Sequence, residues 1–110
     1  ILVIGKYNTS GNQGDMGQAY HDWVTVPAVE SGVAMFGNHS YHLTGSGSDL
    51  MVANGYKSMH EFATSLENAT SGPAEARQKF WSLVEGDHED QIYIHQGHIE
   101  NGKFVRANSN

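Results

Sequence analysis

One unit is written twice in this chain of 110 residues: a short apolar strand, an amphipathic helix and a second strand, over residues 1–42 and again over 49–99. The order βαββαβ in so short a chain points to one four-stranded antiparallel sheet with both helices on a single face, an α+β architecture. A chain of this length forms one domain as a rule, so a single unit over 1–110 is expected.

Ile1 to Gly5 is apolar on both faces, as a central strand sandwiched between two layers must be. After the polar loop of residues 8–14, Asp15 has the chemistry of a helix cap, and Met16, Ala19, Tyr20, Trp23 and Val24 follow at helical spacing. Pro27 breaks that helix near Thr25 and leaves one further turn to Glu30. Val33–Leu43 reads as the second strand, with Met35, Gly37, His39 and Tyr41 on one face and Ala34, Phe36, Asn38, Ser40 and His42 on the other. A glycine-serine turn leads into the third strand, Asp49–Asn54. Ser58 and Glu61 then have the spacing of a capping box, and Met59, Phe62, Ala63 and Leu66 make a buried stripe. Ala74–Glu85 is again helical, with Ala76, Phe80, Leu83 and Val84 inward, and Gln91–Ile99 is the last strand. The polar tail from Asn101 either extends an edge or stays disordered.

Twelve acidic against six basic residues give a net charge of −6, and the six cations are scattered, which removes nucleic acid as a partner. With no cysteine, neither disulfides nor thiolate zinc sites hold the fold. No apolar run approaches the ~20 residues that cross a bilayer. No membrane partner and a cytoplasmic location are therefore expected, and three Asn-x-Ser/Thr triplets, at Asn8, Asn38 and Asn68, read as coincidence. An opening Ile rather than Met suggests a chain processed, trimmed or incomplete at its start.

Seven histidines raise the question of a metal. His39 and His42, like His95 and His98, are three apart on strands and so point to opposite faces, and no His-Glu-x-x-His occurs. A site across strands would need His39 and His95 with a carboxylate; ordinary surface histidines are the simpler reading, and no metal is expected. There is no Gly-x-Ser-x-Gly elbow for a nucleophile, and Gly5, Gly11 and Gly14 are not at dinucleotide-binding spacing.

The stretch Asp49-Leu50-Met51-Val52-Ala53-Asn54-Gly55-Tyr56-Lys57-Ser58, followed by Phe62, resembles the third-strand-to-helix junction of the dimeric α/β-barrel superfamily, where Glu-x-Trp-x-Ser is common. Ser31-Gly32-Val33 sits where those proteins often carry Pro-Gly. The resemblance covers most of Ile1 to Ile99 and implies a ferredoxin-like domain that pairs sheet to sheet into a homodimer. It also implies a pocket between helices and sheet for a small hydrophobic or aromatic molecule. Asn54 stands in place of the usual Glu and Tyr56 in place of the usual Trp, and no His follows Phe62 within a turn, so the monooxygenase-like and haem-degrading branches lend no catalytic residues.

Two functional readings stay open. In the first, a cofactor-independent enzyme acts on such a ligand by oxygenation, isomerisation or proton transfer, with His60, His39 or His95 as acid or base. Tyr20, Asn54 or Tyr56 would orient a ligand oxygen, and Trp23, Phe36, Phe62 and Trp81 would complete the lining. In the second, the same space holds a fatty-acid-like ligand without changing it, as a carrier or sensor would. Should no cavity exist, a purely structural dimer is left.

Overall fold

A computed structural model describes residues 1–72 and 74–106. Four strands, β1 (Leu2–Tyr7), β2 (Ala34–Tyr41), β3 (Leu50–Tyr56) and β4 (Glu89–Tyr93), form an antiparallel sheet in the order β2-β3-β1-β4. Between β1 and β2 run α1 (Gln13–Tyr20), a π-helical turn (His21–Thr25) and α2 (Val26–Glu30); between β3 and β4 run α3 (Met59–Thr70) and α4 (Ala74–Leu83). The βαββαβ order and the central position of β1 are as the sequence implies.

Because side chains alternate along a strand, the pairing register sorts the sheet into two faces. On the helix side the rows are Ile92–Val3–Asn54–Gly37, Asp90–Gly5–Val52–His39 and Tyr7–Leu50–Tyr41. On the open side they are Tyr93–Leu2–Gly55–Phe36, Gln91–Ile4–Ala53–Asn38 and Glu89–Lys6–Met51–Ser40. The irregularity between Ala34 and Phe36 is a bulge, so Ala34 lies on the helix side with Tyr56 rather than on the face of Phe36, Asn38 and Ser40.

Several local expectations are corrected. Asn12, not Asp15, caps α1: its side chain accepts from the Asp15 backbone N–H at 3.0 Å. Pro27 does not break the helix. The chain widens into the π turn just before it, with Val26 N–H bonding His21 O, which accommodates a ring that would otherwise clash with the carbonyl four residues back. Ser58 caps α3 by accepting from His60 N–H at 3.2 Å, while Glu61 accepts from the Ser58 hydroxyl rather than from the Ser58 backbone N–H. The buried side of α3 is Phe62, Ser65 and Ala69; Met59, Ala63 and Leu66 are exposed.

β4 ends at Tyr93, earlier than the alternation through Ile99 suggested, and a separate hairpin follows, β5 (Gly97–Glu100) with β6 (Lys103–Arg106). Asn101 and Gly102 join its strands with φ of 50° and 77°. Two positive φ values in a two-residue loop favour Asn-Gly, so the tail as far as Arg106 is a hairpin instead of an edge extension. The last four residues, 107–110, lie outside the described part.

The core consists of two clusters on the helix side. Tyr7, Met16, Ala19, Leu50, Val52 and Phe80 form one, with Tyr20 and Trp23 packed against it. Ala28, Ala34 and Tyr56 form the other, with Val3 and Phe62 beside them.

Candidate functional site

Between the two clusters the helices stand away from the sheet and leave a cavity of about 420 Å³. Its lining draws on both clusters: Val3, Tyr7 and Tyr56 from the sheet, Tyr20, Trp23 and Val24 from α1 and the π turn, and Phe62, Ser65, Leu66 and Ala69 from α3. Trp81, His88, Asp90 and Ile92 complete it. Tyr56 at one end is buried to 2% exposure, whereas Leu66, Trp81 and Ile92 are about half exposed, so the cavity has a closed floor and a mouth along α4 and β4.

Hydrogen bonds stiffen the walls. The Trp23 indole N–H donates to Ala69 O at 2.9 Å and ties the π turn to the end of α3. The Tyr56 and Ser65 hydroxyls share a bond of 3.2 Å across the cavity's inner end. Phe80 packs edge-on against Tyr7 with ring centroids 4.9 Å apart and also contacts Tyr20 and Trp23, so the aromatic wall is held from behind by a fully buried ring.

Two polar groupings interrupt this apolar surface. In the first, the Asn54 amide donates to the Tyr20 hydroxyl at 3.3 Å, leaving the hydroxyl's own hydrogen free of any partner among the described residues. Burial, above all, pushes the Tyr20 phenol well above its ordinary pKa, so it remains a neutral donor. Asn54 is itself 3% exposed, and its Oδ1 has no partner.

The second grouping sits at the mouth. The Tyr7 hydroxyl donates to Asp90 Oδ1 at 3.4 Å, and His88 Nδ1 lies 3.0 Å from Asp90 Oδ2. The His88 ring stacks on Tyr7, with centroids 5.2 Å apart and planes 22° from parallel, and Trp81 flanks it at 5.5 Å. Gly5 makes this possible. A Cβ there would lie 2.8 Å from Tyr7 Cε2 and 3.0 Å from the Tyr7 hydroxyl, so only a bare position lets the tyrosine lie back across the sheet toward the neighbouring row, where Asp90 stands. Burial first, and then the Asp90 charge, raise the Tyr7 pKa, and the phenol stays protonated as a donor.

Five of the seven ligand-binding residues expected from sequence, Tyr20, Trp23, Tyr56, Phe62 and Trp81, line the cavity together. Asn54 stands behind the lining and reaches it through Tyr20. Phe36 lies on the open face of the sheet, where it lines a different hollow of about 470 Å³ with Ile1, Leu2, Ile4, Met35 and residues 93–96. The three candidate catalytic histidines are not brought together. His39 faces the helices, shares a hydrogen bond of 3.0 Å with Thr25 Oγ1 and meets the Tyr20 ring edge-on at 5.8 Å, and its pKa is lowered, chiefly by burial and then by His21. His60 is exposed at the start of α3. His95 follows β4 on the open side, stacked on His98 with ring centroids 5.3 Å apart. Among the described residues no three His, Cys, Asp or Glu side chains cluster closely enough to hold a metal ion.

The polar groups at the mouth that sequence reasoning missed are Tyr7, His88 and Asp90. Their signal is the alternation His88-x-Asp90-x-Ile92, which puts three side chains on one face of an extended segment. It is hidden if the strand is taken to begin at Gln91.

No known family model matches the sequence, and no curated protein matches it. Among solved structures the fold is similar to that of a point mutant of SnoaB, a cofactor-independent oxygenase from Streptomyces nogalater, with a TM-score of 0.61 over 84% of this chain and 90% of that one, at 8% identity. The two share a four-stranded antiparallel sheet with helices packed on one face. At that identity the likeness speaks to the fold alone. Among the described residues no helix is long and apolar enough to cross a membrane.

Proposed function

We propose that this protein binds a small, largely aromatic molecule in the cavity between helices and sheet and transforms it without a resident cofactor. The observation that carries the reading is the convergence of Tyr20, Trp23, Tyr56, Phe62 and Trp81 on one cavity with few polar groups, which suits an aromatic skeleton carrying one or two oxygens. The Tyr20 hydroxyl supplies the inner anchor. Its acceptor side is engaged by Asn54, and its free hydrogen suits a ligand carbonyl or phenolate oxygen. A polar pair at the mouth favours an enzyme over a carrier of a fatty-acid-like chain, which would need no such group along its path. The kinship in fold with a cofactor-independent oxygenase is consistent with this chemistry.

Mass spectrometry of the purified protein for a co-purified aromatic compound, followed by turnover of that compound under air by metal-free protein, tests the reading. A bound aromatic consumed without added cofactor supports an enzyme. A bound lipid or a compound returned unchanged supports the carrier, and an empty protein that binds no phenol refutes both.

We also propose that the open face of the sheet is covered by a second copy. Its apolar part, Leu2, Ile4, Phe36, Met51, Ala53 and Tyr93, is contiguous across all four strands, and Phe36 and Tyr93 are each 49% exposed in the single chain. Ile4→Asp, which sets a charge in the middle of that patch, is expected to convert a dimer to a monomer in light scattering. A wild-type monomer at micromolar concentration refutes the pairing.

A further inference from the structure

We infer that His88, held by Asp90, is the group that takes a proton from the ligand at the cavity mouth. The inference rests on the ligand reading above and adds to it the reacting group and the chemical class of the substrate, a phenol or enol with an ionisable O–H.

The geometry supports each part. His88 immediately precedes β4 and Asp90 is the second residue of that strand, and both line the cavity. An ionised carboxylate only accepts hydrogen bonds, so the 3.0 Å contact requires His88 Nδ1 to carry the hydrogen, which leaves the Nε2 lone pair of the neutral ring as the available base. Tyr7 stacks on the ring and Trp81 flanks it, which restricts its rotation while 34% of the side chain stays exposed. Asp90 in turn is gripped on its other oxygen by the Tyr7 hydroxyl. In the transfer, the ligand O–H bond breaks, its proton moves to His88 Nε2, and the electron pair stays on the ligand oxygen. The Asp90 carboxylate balances the imidazolium that forms, so no net charge is created beside the ligand other than its own oxyanion. His88 is the catalytic residue; Asp90 and Tyr7 position it. A plain surface ion pair would account for the 3.0 Å contact, but not for an imidazole stacked on Tyr7 and flanked by Trp81 at the mouth of the molecule's aromatic cavity.

The test uses 4-nitrophenol, which absorbs strongly in the visible only as the phenolate. Equilibrium dialysis measures how much binds, and absorbance of the bound fraction across a pH series measures how much of it is ionised. With wild-type protein the bound probe is expected to ionise at lower pH than in free solution. In His88→Gln, with binding retained, the ionisation constant of the bound probe is expected to fall about tenfold, a shift of about one pH unit. Asp90→Asn, which keeps a hydrogen-bond acceptor but removes the charge, is expected to shift it in the same direction, and Asp90→Glu to restore part of it. Equal binding with unchanged ionisation in both His88→Gln and Asp90→Asn overturns the inference and leaves the ligand reading standing. Failure of the wild-type protein to bind the probe or any larger phenol removes the ligand reading and the inference with it. Should His88→Gln lose binding altogether, Asp90→Asn, whose imidazole remains in place, decides.

Discussion

Removing one oxygen from Tyr20 should cost more than its size suggests. The Asn54 amide is buried, its Oδ1 already lacks a partner, and its only hydrogen bond among the described residues is the one to the Tyr20 hydroxyl at 3.3 Å. Tyr20→Phe keeps the ring and its packing against Phe80 and Trp23 but leaves a buried amide with neither end satisfied. An unsatisfied buried polar group costs about 1–3 kcal/mol, whereas replacing both partners by apolar groups is close to neutral. Tyr20→Phe alone is therefore expected to destabilise by about 1–3 kcal/mol, and Tyr20→Phe in an Asn54→Leu background by less, with a coupling of about 0.5–3 kcal/mol. Urea titrations followed by the fluorescence of Trp23 and Trp81 give all four corners of the cycle. A cost below about 0.5 kcal/mol, the scatter of ordinary surface changes, or equal costs in both backgrounds, would refute the reasoning.

Two further outcomes are expected. Gly5→Ala places a methyl group where the Tyr7 ring lies, so it should destabilise by about 1–3 kcal/mol through overpacking and release the Tyr7–Asp90 bond, visible as a changed ring environment of Tyr7 in NMR spectra; an unshifted Tyr7 would show that the bare position is not needed. His39 has a folded-state pKa below its ordinary 6.5, so in the window between the two values the unfolded chain binds more protons than the folded one. Stability from this group is complete above the ordinary value and is lost as pH falls toward the depressed one. Denaturation midpoints should drop across that window in the wild type and less in His39→Gln; parallel profiles would assign the drop to other groups.

The sheet and its helices were legible because apolar alternation and helical spacing report which side of an element is buried, and Met16 and Ala19 of α1 and Phe80 of α4 are nearly inaccessible, as their spacing announces. Where side chains compete for two surfaces, the pattern misleads. Leu66 belongs to the apolar stripe of α3 yet lies on the rim of the cavity, while small Ser65 and Ala69 face inward, where Ser65 meets the Tyr56 hydroxyl and Ala69 O accepts from the Trp23 indole. The bulge at Ala34/Phe36 is invisible to a strict two-residue period, and it moved Ala34 to the helix side, away from the face of Phe36, Asn38 and Ser40. The aromatic lining was readable because large aromatic residues on facing elements converge in so small a domain. The mouth was not, since the Tyr7–Asp90 contact spans 83 positions and depends on the empty side of Gly5. The Asn101-Gly102 turn, by contrast, carries a local signal and identifies the hairpin once the dipeptide is read as a turn.

The ligand is expected in the cavity between helices and sheet, and not in the rival hollow on the open face. Backbone amide shifts during a titration with 2-naphthol separate the two directly. Saturable shifts centred on Val3, Tyr20, Tyr56, Phe62, Ala69 and Ile92 are expected. Shifts centred on Leu2, Ile4, Met35 and Ile94, or no saturable shifts at all, would contradict it.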